Sequence, residues 1–139
     1  MGQERDDSSL LKKHLVIPTK KKLTPNQLST GLFAWKVVKH TKSNAIVVAK
    51  NNKIISISGG QTSRVDATKI AFEKTKIPKG CVVASDAFFP FKDSIEKMAQ
   101  YKIAAIIQPG GSIRDGEVVE SCNKNKIAMA FTGFRVFKH

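Results

Sequence analysis

The chain has 139 residues, 41% of them apolar, a length and apolar content that support one ordinary core and argue against two. No stretch approaches the ~18 consecutive apolar residues of a membrane span, which excludes a helical membrane protein. The net charge of +13 comes from 20 Lys and four Arg against 11 acidic residues, with the lysines dispersed except for TKKKLT at 19–24 and no aromatic interleaved with them; this reads as a solvated lysine-rich surface able to attract anionic ligands and argues against nucleic acid.

Residues 1–24 read as an irregular or extended arm with few apolar contacts. The opening MGQERDDSSLLKK lacks the apolar run of a signal peptide and has Asp6 where a myristoylation motif needs Ser or Thr, so the chain reads as cytoplasmic. The first helix is expected after Thr24-Pro25. Leu28, Leu32 and Trp35 recur at helical spacing, and Phe33 and Val37 widen the face expected to be buried. Two apolar runs follow, AIVVA (45–49) and IISI (54–57), joined by KNNK, which is short enough for a hairpin with Asn taking positive φ.

A second helix is expected after Ser63, burying Val65, Ala67, Ile70 and Ala71. The run CVVA (81–84) reads as the third strand. A third helix carries Ile95, Met98 and Ala99 inward, with Asp93 and Glu96 spaced as a capping box. The fourth strand is AAII (104–107), the fourth helix buries Val118, Val119 and Cys122 after Asp115, and AMAF (128–131) closes the order. Cys81 and Cys122 sit in apolar surroundings and read as buried reduced thiols, not a disulfide.

None of the five runs alternates apolar with polar, as expected of strands buried on both faces. Strands separated by helices imply an α/β chain: a mixed, mostly parallel five-stranded sheet with helices on both faces. That element order resembles the three-layer cytidine-deaminase-like fold, with residues 25–139 forming one unit of it. Ligands of such sheets bind beyond the carboxyl ends of the strands. Four motifs fall there: SGGQTSR, where Gly59 and Gly60 are expected to let the backbone approach a ligand, then SDAFFPFKD, QPGGSIRD and TGFRVFKH. Zinc deamination needs an HxE and a PCxxC, and the sequence has neither; His14, His40 and His139 lie far from one another and from cysteine, so no zinc is expected.

The stretches FAWKVVKHTKSNAIVVAKN, GGQTSRVDATKIA, ASDAFFPFKDSIE, IAAIIQPGGSIRDGEVVESC and IAMAFTGFRVFKH resemble the C-terminal half of the AICAR transformylase family of purine biosynthesis. Its members pass a formyl group from 10-formyl-tetrahydrofolate to the amine of aminoimidazole carboxamide ribotide (AICAR). The resemblance runs from about Gln3 to the last residue and implies a set of roles. Asn44 would orient the AICAR carboxamide as the catalytic-site amide. Arg64, Phe88, Arg135 and Phe137 would complete the AICAR site, with Arg135 on the phosphate. Ala87, Phe88, Pro90, Phe91, Asp93, Ser112 and His139 would form the folate site, whose flat pterin needs aromatic walls and a carboxylate. Oxygens around Val38, Thr41, Ser43, Asp86 and Val136 match a monovalent-cation site, potassium in type, where Ala45 replaces one oxygen ligand.

The resemblance also implies units not represented in these residues: a cyclohydrolase domain, and a first deaminase-like unit whose Lys-His pair serves as general base. The Lys-His pairs at 39–40 and 138–139 do not belong to that motif. His40 falls on the first helix pattern, where a packed or solvated role is expected. Three readings stay open. The chain is an enzyme part that acts as a homodimer or with a chain carrying the first unit, or it is an inactive remnant or sensor that binds AICAR or folate, or, as the outsider, it binds nucleic acid.

Overall fold

The computed structural model describes residues 14–87, 89 and 92–133. The element order is α1 (Pro25–Lys39), β1 (Ile46–Lys50), β2 (Lys53–Ser58), α2 (Arg64–Glu73), β3 (Val82–Ser85), α3 (Lys92–Ala99), β4 (Ala105–Gln108), α4 (Asp115–Lys124) and β5 (Ala128–Phe131). The five strands form one sheet in the order β2-β1-β3-β4-β5. The β1 strand pairs antiparallel with both β2 and β3, whereas β3, β4 and β5 pair in parallel. The sheet is therefore mixed, with β1 running against the other four strands.

Local chemistry accounts for most boundaries. Thr24 caps α1 in a reciprocal box with Gln27, and Pro25 follows at the first helical position, where its missing N–H costs nothing. Asn51 and Asn52 take φ of 51° and 61°, the pair of left-handed residues a two-residue hairpin requires. Ser63 caps α2 by accepting the N–H of Asp66 at 3.1 Å. The expected box at α3 does not form: Asp93 is the second residue of the helix, too far inside to act as its cap.

Alternate strand residues feed two apolar clusters. On one face Ala34, Trp35 and Val38 of α1 meet Val47, Ala84, Ile107 and Ala130. On the other, Ala67, Phe72, Ile95, Met98 and Cys122 of α2, α3 and α4 meet Ile46, Val83, Ile106 and Met129.

Two helices match the sequence expectation in part: Trp35, Ala67 and Ala71 are buried and Leu32 and Val37 pack against the core, while Phe33, Val65 and Ile70 are exposed. The buried face of α1 is Thr30, Gly31, Ala34, Trp35 and Val38, and Phe33 is exposed. A Cβ on Gly31 would stand 3.5 Å from Val82 Cγ1, so small residues let the helix lie close on the sheet. Likewise α2 buries Arg64, Ala67, Thr68, Ala71 and Phe72 and turns Val65 and Ile70 outward. Ser56 and Ser58 of β2 tie that inner face down by donating to the carbonyls of Ala71 and Ala67.

The described part of the arm is also held more firmly than its composition implies. Val16 exchanges two backbone hydrogen bonds with Phe131, at 3.0 and 2.7 Å, covering the outer edge of β5. Thr19 accepts the N–H of Met129, and Leu15, Ile17 and Leu23 pack against the α1 cluster. At the opposite edge, Lys74 Nζ donates to the Ile57 carbonyl of β2.

Candidate functional site

Because β2, β3, β4 and β5 run one way, their carboxyl ends share one edge of the sheet. The antiparallel β1 brings its amino end to the same edge, where Ile46 stands opposite both Ser58 and Ser85. Residues just before β1 and just after β2 and β3 therefore meet, and these are Ser43, Asn44, Gly59, Gln61 and Asp86.

The loop after β2 packs against the segment before β1. Asn44 and Gln61 exchange backbone hydrogen bonds at 3.1 and 3.4 Å, and Gly60 donates to Lys42 O at 2.6 Å. A Cβ on Gly59 would lie 2.5 Å from Thr41 Cγ2. The close approach that Gly59 permits is thus to the chain's own 41–44 segment, where the sequence reading had expected a ligand.

Polar side chains converge on this packed pair of segments. Arg64, the first residue of α2, lies on that helix's inner face beside the strand ends. Its Nη2 donates to Asn44 Oδ1 at 2.8 Å and lies 2.8 Å from Asp86 Oδ1, and its Nη1 donates to Ala45 O at 2.9 Å. Asp86 also accepts the Ser43 hydroxyl and, at 3.2 Å, the Ala45 N–H. Asn44 Nδ2 donates to Gln61 O at 3.0 Å. The Asn44 side chain is half-buried, and the described residues leave one acceptor lone pair and one N–H of its amide unused.

The other sequence candidates are placed as follows. Ala87 is half-buried directly after Asp86, in a turn where Ser85 Oγ donates to Ala87 O at 2.6 Å. Phe89 is fully buried among the core side chains and its N–H donates to Gln108 Oε1 at 3.1 Å, so this phenylalanine of the motif is a core residue. Asp93 lies in the first turn of α3, exposed on a cleft of about 440 Å³ between α2 and α3 that also has Val65, Lys69, Phe72 and Tyr101 in its wall. Ser112 is half-buried in the loop before α4, its hydroxyl accepting the N–H of Arg114. Phe88, Pro90, Phe91, Arg135, Val136, Phe137 and His139 lie outside the described residues.

At the candidate cation site, Val38 O accepts the N–H groups of His40 and Thr41, and the Thr41 hydroxyl donates to Val37 O. The Asp86 carboxylate already faces the Arg64 guanidinium. These oxygens are engaged within the chain, and Val136 lies outside the described residues. No group of three or more His, Cys, Asp or Glu side chains among the described residues is placed to hold a metal ion.

His40 ends α1 and is exposed, in keeping with a solvated role. Every described lysine except the half-buried Lys50 is exposed. Cys81 and Cys122 are buried free thiols. Burial pushes the Cys122 thiol up to about 12 and raises that of Cys81, which Lys50 pulls partly back. No helix among the described residues is long and apolar enough to cross a membrane.

Sequence reasoning missed the partnership of Arg64 with Asp86. The available signal was an Arg at a helix start and an Asp just past a strand that share the same sheet edge.

Comparison with known proteins gives concordant matches. Residues 1–74 match the family described as AICARFT/IMPCHase bienzyme. The chain is 54% identical over 139 residues to the bifunctional purine biosynthesis protein PurH of Aquifex aeolicus, covering 97% of this chain and 28% of that protein. It is 50% identical over 141 residues to PurH of Persephonella marina, covering 99% and 27%. The chain thus spans little more than a quarter of the length of these curated relatives. Among solved structures, Acinetobacter baumannii RibD, form 2, matches with 12% identity and a TM-score of 0.48, covering 90% of this chain and 34% of that one. A likeness at that level assigns neither fold nor function.

Proposed function

Because the chain belongs to the AICARFT/IMPCHase bienzyme family, we propose that these residues are a C-terminal portion of a purine-biosynthesis formyltransferase. In this reading they form one three-layer cytidine-deaminase-like unit, act in the cytoplasm, and bind AICAR and 10-formyl-tetrahydrofolate for formyl transfer to the AICAR amine. The observation that carries the reading is the Asn44 amide, fixed at the strand ends by Arg64 and Gln61, with one donor and one acceptor unspent among the described residues. A primary carboxamide presents the complementary donor and acceptor, so a single side chain can set the orientation of the ring that bears the amine.

The transfer needs the amine nitrogen to attack the formyl carbon while the bond from that carbon to the folate nitrogen breaks. The amine gives up a proton and the leaving nitrogen gains one. Asn44 cannot accept a proton near neutral pH, and the neighbouring Arg64 and Asp86 are already paired with each other. The base therefore comes from elsewhere, and the family's Lys-His unit, in the same or another polypeptide, supplies it. The phosphate falls to Arg135, and the pterin to the 87–93 segment with Ser112 and His139.

The test is release of tetrahydrofolate from AICAR and 10-formyl-tetrahydrofolate. General-base catalysis contributes roughly 100- to 10,000-fold, so the 139-residue polypeptide alone should show no appreciable turnover. Adding a separately expressed first unit should restore it through a homodimeric or mixed assembly. Full turnover from the polypeptide alone would refute the division of labour. Absence of turnover from the mixture, with AICAR binding intact, would replace it with a binding or sensing role.

A further inference from the structure

Gln108 ends β4 after Ala105, Ile106 and Ile107, and like them it is 0% exposed although its side chain is polar. Taking a primary amide out of water is costly unless its hydrogen-bonding capacity is used. Among the described residues Gln108 makes one conventional side-chain bond, accepting the Phe89 N–H on Oε1 at 3.1 Å, and its Nε2 has the sulfur of Met129 at 3.2 Å. The buried amide is thus directed at a single backbone group of the segment that joins β3 to α3.

That segment is held at three points. Ser85 Oγ, fully buried, donates to Ala87 O at 2.6 Å and fixes the turn that leaves β3. Phe89 is held through its N–H by Gln108 and through its ring by the apolar cluster that contains Ile95 and Met98. Lys92 opens α3, which brings Ile95 and Met98 to that same cluster. Phe89 also precedes Pro90, and a proline confines the residue before it to extended conformations, so the chain leaves Phe89 in a restricted direction. Phe88, Pro90 and Phe91 lie outside the described residues, and each is joined to a described one by a single peptide bond. We propose that Gln108 is a positioning residue for the folate co-substrate: by holding the Phe89 N–H it sets how the residues on either side of Phe89 meet the pterin. The inference rests on the reading of residues 87–93 as the folate segment. A loop that orders only on binding loses affinity to that ordering, whereas one held beforehand does not.

Three substitutions in the 139-residue chain test this. Gln108→Leu deletes the acceptor, Gln108→Asn withdraws it by one methylene and serves where Gln108→Leu does not fold, and Gln108→Glu keeps an accepting oxygen whether or not the carboxyl is ionised. The first measurement needs no ligand. Hydrogen exchange of the Phe89 backbone amide, followed in ¹H–¹⁵N NMR spectra, should be slow in wild type and Gln108→Glu and at least about tenfold faster in Gln108→Leu and Gln108→Asn, while the amides of β3 stay protected. Unchanged Phe89 exchange in the folded variants that lack the acceptor would overturn the proposal whatever the ligands do.

The second measurement is calorimetry with two probes, AICAR and 5-formyl-tetrahydrofolate, a folate with no formyl group at N10 to transfer. Asn44 and Arg64, read as AICAR contacts, belong to other segments, before β1 and at the start of α2, so the two ligands should separate. Gln108→Leu and Gln108→Asn should weaken the folate about tenfold, the scale of ordering two or three side chains on binding, and leave AICAR near its wild-type affinity; Gln108→Glu should restore the folate. Folate affinity unchanged in a variant whose Phe89 amide exchanges fast would overturn the proposal alone. Equal losses for both ligands would overturn it too, since they mark a general loosening of the fold. Absence of folate binding to the wild-type chain would instead refute the folate reading of 87–93, and the proposal with it.

Discussion

Gln108 Oε1 accepts the backbone N–H of Phe89 at 3.1 Å, so the last residue of β4 pins the loop that follows β3. Both side chains are fully buried, and the second contact of Gln108 is a weak one, Nε2 to the sulfur of Met129 at 3.2 Å. Gln108→Leu should therefore cost about 1–3 kcal/mol, the penalty for leaving the Phe89 N–H buried and unpaired. Gln108→Glu keeps the acceptor and tests whether the bond itself matters. Urea unfolding of the variants measures both, and an unchanged midpoint for Gln108→Leu would contradict the pinning role.

Phe89 and Phe33 separate core from surface. Phe89→Ala should destabilise by about 3–5 kcal/mol, because a buried ring leaves a cavity. Phe33→Ala, at a side chain 36% exposed, should stay within about 1 kcal/mol. Comparable losses in the two variants would mean that the α1 face is turned other than described.

Gly110 has φ of +80°, and a Cβ there would stand 2.9 Å from Phe131 Cγ. Gly110→Ala should cost more than about 1 kcal/mol, since backbone strain and an aromatic clash add. Thermal unfolding reports it, and a neutral substitution would contradict the packing of the β4–α4 loop on β5.

The Cys122 thiol ionises at about 12 in the folded chain against 9.0 for an unhindered thiol, through loss of solvent. Its folded value is raised, so its contribution to stability is whole below pH 9 and is lost as pH climbs toward 12. Wild type should thus lose stability relative to Cys122→Ala across that interval, by up to about 1.4 kcal/mol per pH unit. Denaturant midpoints at several pH values give the difference, and a constant offset would contradict the burial.

Much of the fold was legible because its determinants are local. The five apolar runs became the five strands to within a residue or so at most ends, and the Asn pair, Thr24-Pro25 and Ser63 marked the hairpin and two helix starts. The helix faces were less legible. Sequence reading weights large apolar side chains, whereas the sheet selects Gly31 and Ala34 because close approach there buries more backbone and strand surface. The network around Asn44 was legible only in part. The resemblance pointed to Asn44 and Arg64 as ligand contacts and to Asp86 as a cation oxygen. That Arg64 is buried against Asp86 depends on the antiparallel pairing of β1 with β3, a tertiary fact with no signature in the spacing of the two residues.

The central claim is that Asn44 presents a fixed amide to AICAR, and calorimetric titration of the 139-residue chain with AICAR tests it most directly. The account predicts saturable binding to wild type that Asn44→Ala weakens about tenfold, while Phe33→Ala, folded to the same degree, binds as wild type does. No saturable heat with wild type, or equal affinity in Asn44→Ala, would contradict it.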